Sequence, residues 1–231
     1  HPAWLDALHE LSRLRDEGLI AELGVTNFDA GHLNLALSDG VPLRTNQVSF
    51  SLMDRRATGE MAAVCARHGA WILGYGTLCG GFLSDRWLGQ SDQTQIEDWS
   101  KMKYRRFIDA AGGWDGYQTV LAAAAQVAAK HGVSISNVAT RWVLEQSRVA
   151  GVIIGARLGE RMHAADNLRL FSFELDAEDH AALTAAFAQT TPIFGDCGDE
   201  YRKPPFLTAS GDLSHHLATV PKAFVPEPSP E

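Results

Sequence analysis

The chain has 231 residues, 45% of them hydrophobic, enough to bury a sizeable core as one domain, or as one domain followed by a tail. Its formal charge of −8 does not supply the basic face that a phosphate backbone requires, so nucleic acid is excluded as the expected partner. The three cysteines, Cys65, Cys79 and Cys197, lie far apart with no CxxC pair; this usage suits a reducing cytoplasm, not a disulfide framework.

The chain opens at His1-Pro2 without an initiator methionine, which reads as a processed, trimmed or incompletely recorded start, and no secretory signal is legible. Residues 3–17, "AWLDALHELSRLRDE", place Trp4, Leu8, Leu11 and Leu14 at helical spacing, with Gly18 as a stop. A short strand at about 22–26 runs into Thr26-Asn27, and a helix follows at about 30–38. "TNQVSF", 45–50, reads as a strand. "TGEMAAVCARHG", 58–69, reads as a helix capped by Thr58 and ended by Gly69. "AWILGYG", 70–76, is a buried strand, and a polar, aromatic insert covers about 84–116. Two helices come next, at about 117–131 and 134–146. The first holds the Ala-rich run "VLAAAAQVAA", which Gln126 interrupts and which is too short to span a bilayer. "VAGVIIGA", 149–156, is continuously apolar, as a strand covered on both faces should be. Helical patterns at about 159–168 and 177–189 close the regular part, so the domain is 1–189 and 190–231 is a partly extended or disordered tail.

Strands alternating with helices over short links imply an α/β fold, a parallel sheet with crossover helices. Each of the four strands ends on polar or glycine-rich residues, as strands do at the active face of a (β/α) barrel. Thr26, Asn27, Gln47, Tyr75 and Gly155 should therefore gather at one rim. The plainer reading of Asn27 alone is a cap on the next helix. Inward side chains of such a barrel are Val25, Val48, Ile72 or Leu73, and Ile153 or Ile154.

The segments "GLIAELGVTNF", "TNQVSFSLMDRR", "ILGYGTLCGGFLS" and "VIIGARLGERMHAADNL", in this order, resemble the C-terminal half of an aldo-keto reductase, from about residue 3 to about 180. The resemblance implies a (β/α) TIM barrel, here a partial barrel of about four parallel strands with outer helices, and NADPH as cofactor. It assigns Thr26, Asn27 and Gln47 to the nicotinamide carboxamide and Tyr75 to stacking on the nicotinamide ring. Thr77, Leu78, Gly80 and Gly81 resemble the loop over the pyrophosphate. Gly155, Ala156, Arg157, Arg161 and Asn167 match the segment that binds the 2′-phosphate and adenine. The chemistry of each residue type agrees. A carboxamide needs a donor and an acceptor, both present in Asn or Gln. An aromatic ring orders a flat heterocycle at little entropic cost, glycine lets backbone approach phosphate, and Arg forks onto a phosphate.

The resemblance also implies an Asp, a Tyr acid, a Lys and a His, all on strands before the first helix read here, and His1 does not match the last of them. No catalytic residue is therefore assigned. The expectation is the NADPH-binding portion of an oxidoreductase acting on an aldehyde or ketone, truncated and inactive in this form. The alternative is a non-catalytic half-barrel that serves as a binding or assembly module. "DEYRK", 199–203, reads as a charged surface turn, and His215-His216 point apart and make no metal site. "GGWDGY", 112–117, packs either near the cofactor mouth or in the core. The expected location is cytoplasmic, with no membrane partner. A half-barrel with open edges is expected to associate, as a homodimer or with its missing half.

Overall fold

A computed structural model describes residues 3–93, 99–156 and 163–202. The elements run α1 (Ala3–Asp16), β1 (Leu23–Thr26), α2 (Ala30–Ser38), β2 (Leu43–Ser49), α3 (Glu60–His68), β3 (Trp71–Tyr75), α4 (Trp99–Ala110), α5 (Gly113–His131), α6 (Ile135–Leu144), β4 (Val149–Ile153), α7 (Ala164–Leu168), α8 (Ala177–Phe187) and α9 (Asp199–Arg202). The strands form one parallel sheet in the order β1-β2-β3-β4, and among the described residues it does not close into a barrel.

Local chemistry sets the helix ends. Asp29 caps α2, its carboxylate accepting from the His32 amide at 2.8 Å, so the cap is Asp29 and not Asn27. Asn27 instead sits in the left-handed region at φ 58, a conformation Asn tolerates better than most residues. Ser134 caps α6, and Asp176 with Asp179 forms a capping box on α8. Thr58 does not cap α3: its hydroxyl donates back to the Arg55 carbonyl, and Gly59 stands at the helix start. Gly69 ends α3 in the left-handed region, as the sequence indicated. β4 stops at Ile153, earlier than its apolar run suggests, leaving Gly155 and Ala156 beyond the strand.

The register separates two faces of the sheet. Val25, Asn46 and Ile72 are in register, as are Val48 and Gly74. These residues point toward the helices: the Asn46 amide reaches Met61 of α3, and a Cβ on Gly74 would meet Val143 of α6. Val25, Val48 and Ile72, expected to point inward, therefore lie on the helix-covered face, where Val48 and Ile72 are fully buried. The other face carries Thr26, Thr45, Gln47, Trp71, Leu73, Tyr75 and Ile153. Trp71 and Ile153 remain 40% and 43% exposed there.

Trp114, Gly116 and Tyr117, of residues 112–117, belong to the core. They open α5, and Trp114 and Tyr117 pack edge-on against Phe82 at 6.1 and 6.0 Å, while the Tyr117 hydroxyl donates to the Phe82 carbonyl. Among the described residues no helix is long and apolar enough to cross a membrane.

Candidate functional site

The C-terminal strand ends place four of the expected residues together. Thr26 is in register with Gln47, and Ser49 with Tyr75, so these side chains share the open face at one end of the sheet. The Tyr75 hydroxyl donates to Asn27 Oδ1 at 2.9 Å, bridging from β3 across β2 to the end of β1. Buried Asn46 fixes the loop that carries Asn27. Its amide donates to the Phe28 carbonyl at 2.9 Å and its oxygen accepts from the Phe28 amide at 3.4 Å, while the Asn27 amide donates to the Gln47 carbonyl at 2.9 Å. Neither Thr26 nor Gln47 spends its side chain on a hydrogen bond with a described residue, so a hydroxyl and a carboxamide stand unused on the sheet face that also carries Tyr75.

The remaining expected residues are more scattered. Thr77 is fully buried and its hydroxyl has no partner among the described residues. Leu78 is half-buried, and the turn Cys79–Gly81 follows it, with Gly80 at φ 64 and Gly81 at φ 91. That turn follows the C-terminal end of β3, and a Cβ on Gly81 would meet nothing. Gly155 and Ala156 are exposed past β4, and Asn167 is half-buried in α7. Arg157, Arg161, His215 and His216 lie outside the described residues. No group of three or more His, Cys, Asp or Glu among the described residues could hold a metal ion.

The segment around "DEYRK" overturns its reading as a surface turn. Asp199–Arg202 is a helical turn, Lys203 lies outside the described residues, and Glu200 is fully buried where Arg56, its side chain 3% exposed, meets it at 2.9 Å. Arg56 also forks onto Asp54 at 2.8 and 2.7 Å and donates to the Asp196 carbonyl at 2.7 Å. Burial pushes the Glu200 carboxyl above its usual range, and Arg56 only partly opposes this. From this anchor the segment clasps the rim. Asp196 accepts from the Ala30 amide at the start of α2 at 2.7 Å, and the Arg202 guanidinium reaches the Asn27 carbonyl and Asp29. Burial alone would raise Asp29, but its bonds from the His32 amide and ring hold it below its ordinary value.

Tyr201 completes the clasp. Its hydroxyl lies 2.8 Å from that of Tyr75, and Lys103 of α4 donates to it at 2.7 Å. Because Tyr75 spends its proton on Asn27, Tyr201 is the donor to Tyr75, and one directed chain runs Lys103, Tyr201, Tyr75, Asn27. Burial, and next the neighbouring Tyr201, push the Tyr75 hydroxyl well above its ordinary pKa, so it stays a donor at neutral pH. Lys103, Tyr201 and Arg202 were missed in the sequence because their partners lie 98 to 175 residues away. A cavity of about 390 Å³ lined by Arg15, Glu22, Pro42, Arg44 and His68 lies where β1 and β2 begin, at the opposite end of the strands.

Comparisons with known proteins follow the same lines. The Flagellar radial spoke protein 5 of Chlamydomonas reinhardtii is 33% identical over 130 residues, which is 54% of this chain and 24% of that protein. Aldo-keto reductase YhdN of Bacillus subtilis is 23% identical over 201 residues, 84% of this chain and 56% of the relative. Among solved structures, the glycerol dehydrogenase AKR11B4 from Gluconobacter oxydans superposes with a TM-score of 0.67 at 24% identity, over 83% of this chain and 56% of that one. An aldo/keto reductase from Klebsiella pneumoniae in complex with NADP and acetate gives 0.55 at 20%, over 79% and 54%. These structural likenesses show the parallel α/β fold of barrel neighbours. The chain spans about half the length of most curated relatives it matches. The model of the Aldo/keto reductase family matches residues 2–188, four-fifths of the sequence, and the chain belongs to that family of oxidoreductases.

Proposed function

We propose that the rim at Thr26, Asn27, Gln47 and Tyr75 binds the nicotinamide end of NADPH, and that the chain is the cofactor-binding portion of an oxidoreductase acting on an aldehyde or ketone. One observation carries the reading: the unspent side chains of Thr26 and Gln47, in register with each other, share one face of the sheet with a tyrosine whose hydroxyl is held by a hydrogen bond to Asn27. A nicotinamide carboxamide needs both a donor and an acceptor, and Gln47 offers both. The fixed Tyr75 ring loses little freedom when a flat heterocycle packs on it. The bound group supplies a hydride to a carbonyl carbon. The chain's own residues orient its ring and, through the Gly80-Gly81 backbone, receive its phosphates. We assign cofactor binding to this chain and no proton-delivering residue.

Fluorescence titration with NADPH tests the proposal, with wild type compared to Tyr75→Ala and Tyr75→Phe. Saturable binding, weakened at least tenfold in Tyr75→Ala and only a few-fold in Tyr75→Phe, is expected, because the ring face and not the hydroxyl carries the stacking. Equal affinity in Tyr75→Ala removes the rim from cofactor binding. The preference for NADPH over NADH is assigned to Arg157. Arg157→Ala should weaken NADPH more than NADH, since only NADPH carries the 2′-phosphate.

A further inference from the structure

Lys103 occupies an unusual place for a lysine. Its ammonium lies 4.8 Å from the ring centroid of Tyr201, 5.6 Å from that of Tyr104 and 6.0 Å from that of Tyr75, and it donates to the Tyr201 hydroxyl at 2.7 Å. No carboxylate of a described residue forms an ion pair with it. The charge is met instead by three tyrosine faces and one hydroxyl, partners that accommodate a cation without neutralising it. Behind this cage, the carboxylates of Asp54 and Glu200 share Arg56.

We infer that Lys103 makes the rim distinguish the two redox states of a nicotinamide, shifting its preference toward the neutral dihydronicotinamide and away from the cationic pyridinium. The inference rests on the nicotinamide reading of Tyr75 given above. A heterocycle stacked on Tyr75 lies close to an ammonium that is half-buried and, among the described residues, in no ion pair with a carboxylate. The oxidised ring brings a second positive charge to that place, and the reduced ring brings none. Like charges at about 6–10 Å in a partly desolvated site, with an effective dielectric of ~20–40 and salt screening, separate the two affinities by roughly three- to thirty-fold.

A purely structural role for the cage, tying α4 to α9, makes a different forecast. Loss of Lys103 would then disturb the rim and weaken both redox states alike. The ratio of the two dissociation constants separates these roles where a single affinity does not.

The test titrates the full chain with NADP⁺ and with NADPH, for wild type, Lys103→Met and Lys103→Arg. The expected result is a fall in Kd(NADP⁺)/Kd(NADPH) of roughly three- to thirty-fold in Lys103→Met. Lys103→Arg, which keeps the charge, should stay within about twofold of wild type. Binding of both ligands with an unchanged ratio in Lys103→Met overturns the inference and leaves the cofactor reading intact. Binding of neither ligand to wild type overturns the cofactor reading, and this inference with it. If Lys103→Met does not fold, the wild-type ratio measured against salt decides. It should fall as salt rises, because screening weakens the repulsion between the ammonium and the pyridinium, and a ratio insensitive to salt refutes the role of Lys103.

Discussion

Gly198 lies directly against the carbonyl of Asn27, so close that a Cβ built on it would stand less than 3.0 Å from that oxygen and from both terminal nitrogens of Arg202. Its φ of +81 is also a backbone conformation that residues with a Cβ adopt at a cost. Two independent reasons therefore demand glycine at the point where the C-terminal clasp meets the end of β1. Gly198→Ala should destabilise the chain by ~2 kcal/mol or more, with the clasp detaching first. Urea unfolding and limited proteolysis around residues 195–202 check this. An unchanged midpoint and unchanged cleavage would mean that the clasp does not hold the rim in solution.

The buried group Asp54, Arg56 and Glu200 makes a paired forecast. Removing the cation with Arg56→Met leaves two carboxylates buried without their partner, which typically costs about 3–5 kcal/mol. Glu200→Gln keeps an acceptor for the guanidinium and discards a charge that burial disfavours. It should leave stability unchanged or raise it at pH 7–8. The sign follows from the raised carboxyl: its favourable contribution is complete below the ordinary value of 4.5 and is lost as pH rises through the folded value. Denaturant melts of both variants at pH 5 and pH 8 test it. A Glu200→Gln protein that loses as much as Arg56→Met at both pH values would refute the asymmetry.

These two cases show where sequence reading stops. The alternation of apolar runs with capped helices is local, so the four strands, the parallel sheet and most helices between residues 3 and 187 are legible. α4 (Trp99–Ala110) and the first turn of α5 are not, because their segment reads as a polar, aromatic insert at about 84–116. The position of the rim residues along the strands was legible from the same local pattern: Thr26 ends β1 with Asn27 next to it, Gln47 lies two residues before the end of β2, Tyr75 ends β3, and Gly155 follows β4. The clasp was not. Glu200 looks like an exposed acid until Arg56 is brought to it by chain topology, and a contact across 140 residues leaves no periodic trace. The two faces of each strand were also ambiguous, since continuously apolar strands carry no alternation to orient them. Register alone sends Val48 toward the helices and Leu73 to the open side.

Acid stability should report on a junction far from the rim. The Asp179 side chain is 2% exposed and accepts from Lys130 at 2.9 Å and His131 at 2.7 Å, tying the start of α8 to the end of α5. Burial works against its ionised form, but the Lys130 and His131 bonds outweigh this and draw its pKa down to about 2. A depressed carboxylate stabilises the fold above its ordinary value of 3.8, and that contribution is lost as pH falls from about 4 to about 2. With Lys130 partly solvated, roughly 1 kcal/mol survives screening. Asp179→Asn should therefore lower stability at pH 6 by about that much and flatten its decline between pH 4 and pH 2. Parallel slopes for variant and wild type would place the acid-sensitive group elsewhere.

Alkaline titration probes the rim and the aromatic core together. The chain has four tyrosines, and burial pushes three of them, Tyr75, Tyr104 and Tyr117, well above the ordinary value of 10.0. For Tyr75 the hydroxyl of Tyr201 adds to burial; for Tyr104 and Tyr117 the nearby Cys79 sulfur does. A phenol whose folded pKa is raised favours the fold below its unfolded value, and that contribution is lost as pH climbs beyond it. In the folded chain these three hydroxyls should stay protonated at pH 11, and their ionisation should appear only together with unfolding. Absorbance at about 295 nm, the tyrosinate band, followed beside far-ultraviolet circular dichroism, reads both events. The expected trace for these three is a step that coincides with loss of helix. Tyr75→Phe should remove about one tyrosine's share from that step. A Tyr75 that ionises near pH 10 while the helices persist would show its hydroxyl open to water, and would break the chain of bonds from Lys103 to Asn27.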